Sequence, residues 1–157
     1  MIVGSGSLSK LLNDREGVIF FAAGVGDSQC VDDIQYLREA KLLLSFRNDE
    51  RMFVYFSSIS KFLVKSRYIE NKKINEWRIK SWFNNFTIIR IGNIWECTNP
   101  NTFINAYKRQ PYEPREEYKY MISKEQLNFI TDNLPLKGKH EISVFGELLT
   151  VAECLKM

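Results

Sequence analysis

The chain has 157 residues, about the length of one domain, and carries 22 Lys+Arg against 19 Asp+Glu for a net charge of +3. So small an excess argues against a protein that lives on phosphate contacts with nucleic acid, and no apolar run nears the ~20 residues that span a bilayer. Three scattered cysteines (Cys30, Cys97, Cys154) and one histidine (His140) cannot assemble the usual zinc sites.

In chain order, residues 1–4 (MIVG) form a short apolar run that stops at glycine. Continuous apolar runs follow at 18–23 (VIFFAA), 52–56 (MFVYF), 86–91 (FTIIRI) and 142–145 (ISVF). Runs of this length, rich in Val, Ile and Phe, suit strands buried on both faces. Between them, 32–46 reads as a helix with Ile34, Leu37, Lys41 and Leu44 on one stripe and Ala40 and Leu43 beside it. A second helix covers 67–83, with Ile74, Trp77 and the Trp82/Phe83 pair at helical spacing, read as core or dimer packing. Ser123 with Gln126, and Thr150 with Glu153, are capping boxes that start helices at about 124–133 and 151–156. Strands alternating with helices imply an α/β fold on a mostly parallel sheet. The whole chain reads as a single domain over 1–157. Residues 96–120 hold Pro100, Pro111 and Pro114 and break the alternation, so a loop-rich excursion is expected on the substrate side at about 96–140. The acidic Glu113, Glu116 and Glu117 alternate there with Arg115 and Lys119, which reads as a solvated face, and His140 reads as a loop histidine. An odd cysteine count suggests reduced thiols and a cytoplasmic location, and MIVGSGSLSK lacks the basic and apolar regions of a secretory leader.

Three signals carry chemistry. Gly4-Ser5-Gly6-Ser7-Leu8-Ser9 follows the first strand as a GxGxx(S) loop: its glycines allow a tight turn and close approach of a phosphate to the backbone. Amides at the start of a following helix would face that phosphate. The competing reading, a flexible glycine–serine segment, is disfavoured by the strand before it. Tyr68 and Lys72 stand at i and i+4, on one helix face, where an ammonium favours phenolate and opens acid–base chemistry near neutral pH. A second copy, Tyr120 and Lys124, straddles a helix start and reads as chance. Ser57-Ser58 ends the third run just before Tyr68, at the carboxyl end of a strand where ligands of open α/β sheets bind.

Strand, Ser-Ser, then Tyr-x-x-x-Lys resembles the extended short-chain dehydrogenase/reductase superfamily, in its NAD-dependent epimerase/dehydratase branch. The likeness includes Gly4-Ser5-Gly6, the run ending in Ala22-Ala23-Gly24, Thr87-Ile88-Ile89-Arg90-Ile91-Gly92-Asn93, and Ile142-Ser143-Val144-Phe145-Gly146 followed by Thr150-Val151-Ala152-Glu153. Gly24-Val25-Gly26-Asp27-Ser28, Arg38-Glu39-Ala40-Lys41 and Asn99-Pro100-Asn101-Thr102 are most similar to small sugar-epimerase-like proteins encoded near bacterial surface-polysaccharide genes. The resemblance implies hydride transfer through NAD or NADP, with Ser58 orienting substrate, Tyr68 moving a hydroxyl proton, and Lys72 holding the ribose and tuning Tyr68. It implies cofactor contacts at Gly4, Ser5, Gly6, Ser7, Leu8, Ala22, Ala23, Gly24 and Lys72. It implies a nucleotide-sugar substrate held by Arg90, Asn93, Asn99, Asn101 and Thr102, and a homodimer formed through the two helices at 32–46 and 67–83.

The chain departs from that pattern. A full dinucleotide fold places a second strand after the first helix, ending in an acidic or basic residue that reads the adenosine ribose. Here only a turn, Asn13-Asp14-Arg15-Glu16-Gly17, separates the short segment after the loop from the next strand. Asp14 lies in the wrong place for that contact. The expected fold is therefore a truncated Rossmann-like parallel sheet lacking the second and third strands, with the first strand at the sheet edge or paired with another chain. The spacing from Ser58 to Tyr68 is short, and Lys61-Phe62 stands where the family commonly has an aromatic–glycine pair. Two functions follow: a sugar-nucleotide epimerase, dehydratase or reductase, or a non-catalytic nucleotide-sugar-binding or scaffold protein on a degenerate Rossmann fold.

Overall fold

The computed structural model describes residues 1–114 and 116–157; Arg115, one of the alternating charges of 113–119, lies outside the described residues. In chain order the elements are β1 (Ile2–Val3), β2 (Val18–Phe21), α1 (Asp33–Ser45), β3 (Met52–Ser58), α2 (Arg67–Trp82), β4 (Phe86–Ile91), β5 (Asn93–Ile94), α3 (Phe103–Arg109), β6 (Tyr118–Ile122), α4 (Lys124–Asp132), β7 (Lys139–Val144), β8 (Glu147–Thr150) and α5 (Val151–Lys156). Short 3₁₀ turns occupy Ser9–Leu11 and Ile59–Phe62.

Five strands form one parallel sheet in the order β1-β2-β3-β4-β7. Its interior strands are the continuous apolar runs, and β2 and β4 are buried along their whole length. Parallel neighbours need a crossover, and α1 and α2 provide it for β2–β3 and β3–β4. Between β1 and β2 there is only the 3₁₀ turn, so β1 is the edge strand and the sheet is truncated on that side, as expected.

The strand alternation splits the core into two layers. Ile19, Phe21, Phe53, Tyr55 and Ile88 face Leu43 of α1 and Ile79 of α2. Val18, Phe20, Val54, Phe56 and Ile89 face Leu127 of α4 and the Leu11–Leu12 pair. Phe53 and Phe83 stack with ring centres 4.2 Å apart, so Phe83 belongs to the core, while Trp82 packs partly buried against it.

The apolar stripe of α1 lies on the outside: Ile34 is 77% exposed, and Leu37 and Leu44 are also exposed. The inward positions are Tyr36, Glu39 and Leu43. On α2, Trp77 is 67% exposed and Ile74 is exposed too, whereas Asn71, Lys72, Asn75 and Glu76 are buried beside Ile69 and Ile79. Apolar periodicity marks a helix correctly but does not say which apolar surface is covered. The segment read as loop-rich also carries α3 and β6. β6 pairs parallel with β5 and antiparallel with β8 in a separate three-stranded sheet.

Gly92 joins the two sheets. A β-carbon there would overlap the Tyr120 carbonyl of β6, so the close approach requires glycine. Gly92→Ala is expected to cost about 1–3 kcal/mol, as overpacking does, read as a lowered midpoint in chemical denaturation.

Candidate active site

The carboxyl ends of β1, β2 and β3 lead into the segments that carry most of the candidate residues. α2 begins where the Ser66 hydroxyl accepts the Ile69 N–H at 3.2 Å, a side-chain cap that fixes the first turn. Tyr68 lies in that turn, partly exposed, and Lys72 follows one turn later, buried. The Lys72 ammonium is 5.4 Å from the centre of the Tyr68 ring and 5.0 Å from that of Tyr55. It donates to the Phe56 carbonyl at 3.2 Å and stands 3.9 Å from Glu39 Oε1.

Sequence reasoning missed the rest of this cluster. Glu39 is fully buried. Its carboxylate accepts from the Tyr55 hydroxyl at 3.1 Å, from Asn71 Nδ2 at 2.9 Å and from the Val25 N–H at 3.3 Å. Asn75 Nδ2 donates to the Tyr55 oxygen at 3.2 Å. The available signal was the i, i+4 spacing of Asn71 with Asn75 and Lys72 with Glu76, which continues the Tyr68–Lys72 face inward. Burial works against the Lys72 charge, but Tyr55, Tyr68 and Glu39 outweigh it and hold its pKa above the usual lysine range. Burial drives the Tyr55 phenol upward.

Gly24 closes this cluster from above. A β-carbon at Gly24 would run into Glu39 Oε1 at 2.7 Å and approach Lys72 Nζ at 3.2 Å. Ala22 and Ala23 pack against opposite core layers, and the Ala23 carbonyl accepts from Arg38 at 3.2 Å. Gly4 has φ +127°, and a β-carbon there would strike the Ala22 carbonyl at 2.7 Å. Gly4, Ser5 and Gly6 are exposed, and the position of a Gly6 β-carbon has no atom within 4 Å. Ser7 and Leu8 are partly buried, Leu8 against the core. The helix expected after this loop is only the turn Ser9–Leu11, too short to develop a helix dipole.

The Ser58 hydroxyl accepts the Ser60 N–H at 3.1 Å and caps the 3₁₀ turn Ile59–Phe62. Tyr120 and Lys124, the second copy of the spacing, lie in β6 and at the start of α4 and share no helix face.

The residues expected to hold substrate fall in different places. Asn101 Nδ2 reaches Asp27 at 3.4 Å, Asn99 Oδ1 accepts the Asn101 N–H at 2.9 Å, and the Thr102 hydroxyl caps α3 through the Asn105 N–H at 3.3 Å. Thr98 donates to the Ser7 hydroxyl at 3.2 Å, so the 97–102 segment reaches the glycine loop. Asn93 lies in the second sheet, its Nδ2 3.4 Å from the Tyr120 carbonyl. Arg90 is held elsewhere. Its guanidinium forks onto Glu76 at 2.9 and 2.7 Å and also binds Glu141 at 2.6 Å. Lys61 adds a second cation to Glu76 at 2.6 Å.

Burial pushes the Glu76 carboxyl up, but hydrogen bonds from Arg90 and Lys61 outweigh it and draw it from 4.5 to about 2. A depressed carboxyl pKa means that the unfolded state binds more protons between those values. Stability contributed by Glu76 is therefore present above about pH 4.5 and lost as pH falls through about 2. Acid titration followed by circular dichroism should show weakening through this window. Glu76→Gln should flatten it while costing about 3–5 kcal/mol at neutral pH, because Arg90 stays buried with half its counter-charge gone.

No family model matches the chain, and no curated protein matches it. Solved structures do. A UDP-galactose 4-epimerase shares 14% identity at a TM-score of 0.66, over 89% of this chain and 60% of that one. An ADP-L-glycero-D-manno-heptose-6-epimerase of Helicobacter pylori shares 13% at 0.61, over 89% and 56%. The capsular polysaccharide assembling protein CapF of Staphylococcus aureus shares 15% at 0.55, over 88% and 42%. The chain thus shares a Rossmann-like fold with these structures and spans about half of their length.

Proposed function

We propose that the protein is an NAD(P)-dependent enzyme acting on a nucleotide-linked sugar as an epimerase, dehydratase or reductase. The observation that carries this reading is the Tyr68–Lys72 pair, one turn apart at the start of α2, with the ammonium buried between the Tyr68 and Tyr55 rings under Gly24. A lysine so placed holds a fixed positive charge beside the Tyr68 phenol, the group that in this reading exchanges a proton with a substrate hydroxyl.

The residues fit half of a dinucleotide. Open space before Gly6 and the exposed loop at Gly4–Gly6 suit a pyrophosphate, and Gly24 with Lys72 suits the nicotinamide ribose. β1 has no strand on its outer side to bear an adenosine-reading residue. A nicotinamide bound there supplies hydride transfer. In this reading Tyr68 moves the hydroxyl proton, Lys72 holds ribose hydroxyls and biases Tyr68, and Ser58 releases its turn-capping bond to orient substrate. Asn93, Asn99, Asn101 and Thr102 border the sugar nucleotide. Arg90, already forked onto Glu76 and Glu141, anchors β4 to α2 instead of touching substrate.

The lost edge and the three-residue turn after the glycine loop favour a second reading, a non-catalytic nucleotide-sugar binder or scaffold. Calorimetric titration with NAD(H) and NADP(H) separates the two. Binding tighter than millimolar is expected, with any turnover abolished in Tyr68→Phe. A folded protein that binds neither cofactor sinks the enzyme reading.

Two copies are also proposed to associate through α1 and α2, acting in the cytosol. Ile34, Leu37 and Leu44 on α1 and Ile74 and Trp77 on α2 leave an apolar surface exposed on adjacent helices. Light scattering should give a dimer mass, and Leu37→Asp with Trp77→Asp should give a monomer of unchanged fold.

A further inference from the structure

Lys72 is a charge placed where water scarcely reaches, with 4% of its residue surface exposed. An ammonium there needs a fixed partner, since an unpaired buried charge is costly and sheds its proton instead. The titratable groups that face it are Glu39 from α1, Tyr55 from β3 and Tyr68 from its own helix. Of these only Glu39 is a carboxyl group, its Oε1 3.9 Å from the ammonium.

We infer that Glu39 is a positioning residue for Lys72, its carboxylate being the counter-charge that keeps the ammonium protonated and seated between the Tyr55 and Tyr68 rings. The inference rests on the reading of Tyr68 and Lys72 as the proton-handling pair. At 3.9 Å the contact lies beyond hydrogen-bond reach, so Glu39 acts through its charge. Three donors hold that charge still: the Val25 N–H, Asn71 Nδ2 and the Tyr55 hydroxyl. The hydroxyl is aimed because Asn75 already donates to the Tyr55 oxygen, which turns the phenolic proton towards Glu39. Gly24 leaves the room, since any side chain there would displace Oε1. Glu39 therefore joins α1, β3 and α2 at one point directly beneath the proposed cofactor, without touching substrate itself.

Glu39→Gln keeps the shape and removes the charge. The Nζ resonances of ¹⁵N-lysine-labelled protein, assigned with Lys72→Met, report the proton on Lys72 directly. In the unaltered protein Lys72 should stay protonated past the ordinary lysine midpoint of about 10.4, and in Glu39→Gln its midpoint should fall by about one unit or more. A midpoint unchanged by Glu39→Gln overturns the inference; a purely structural role would lower stability without moving it. Should Glu39→Gln not fold, denaturation of Lys72→Met and of the double variant decides the matter. The double variant should be more stable than Glu39→Gln alone, and a double variant no more stable overturns the pairing. NADH titration of the unaltered protein runs alongside. Absence of binding there removes the cofactor reading, while the Lys72 midpoint still judges the pair.

Discussion

A positive charge held under a glycine at the end of a parallel sheet organises much of this molecule. Around Lys72, Glu39 stands 3.9 Å away, Gly24 leaves no room for a side chain, and Asn71, Tyr55 and Asn75 are hydrogen-bonded to the Glu39 carboxyl or to one another. These groups come from different elements, so the cluster locks α1, α2 and β3 in mutual register. It also explains why the inner faces of both helices are partly polar. With polar groups turned to the sheet end, the apolar residues of α1 and α2 that remain, Ile34, Leu37, Ile74 and Trp77, lie outside. The polar cluster at the sheet end and the exposed apolar surface of the two helices are two sides of one arrangement.

A second polar cluster stands further along the same helix. Glu76 gathers Arg90 from β4 and Lys61 from the 3₁₀ turn after Ser58, and Arg90 reaches on to Glu141 of β7. The segment between Ser58 and Tyr68 is short, and the Lys61–Glu76 pair pins it against α2. The two clusters thus hold both ends of the chain path that presents the serine and the tyrosine. Thr98 on Ser7 and Asn101 on Asp27 tie the 97–102 segment to the loops that follow β1 and β2.

Much of the fold was legible along the chain. Runs such as 18–23 and 86–91 are too uniformly apolar for a surface strand, and Ser123–Gln126 and Thr150–Glu153 close into the capping boxes their spacing implies. The missing edge was legible too, because 13–17 is too short and polar to be a strand. β5, β6 and β8 were not: Asn93–Ile94 is two residues long, and the pairing of Tyr118–Ile122 with Glu147–Thr150 depends on partners distant in sequence. The ion pairs of Arg90 were not legible, because Glu76 and Glu141 come from elements whose approach no local pattern reports.

By itself the sequence determined the five strands of the parallel sheet, the helices α1, α2, α4 and α5, the truncated edge and the Tyr68–Lys72 spacing, because these follow from local periodicity, caps and turn residues. Only the tertiary structure decided what surrounds that spacing. Glu39 lies 33 positions before Lys72 and reads as one more charge on a soluble helix. It comes within 3.9 Å of Lys72 only because α1 and α2 each turn some polar residues towards β3. Charge pairing at the sheet end depends on distance and burial, and neither is written in the spacing of residues along a single helix.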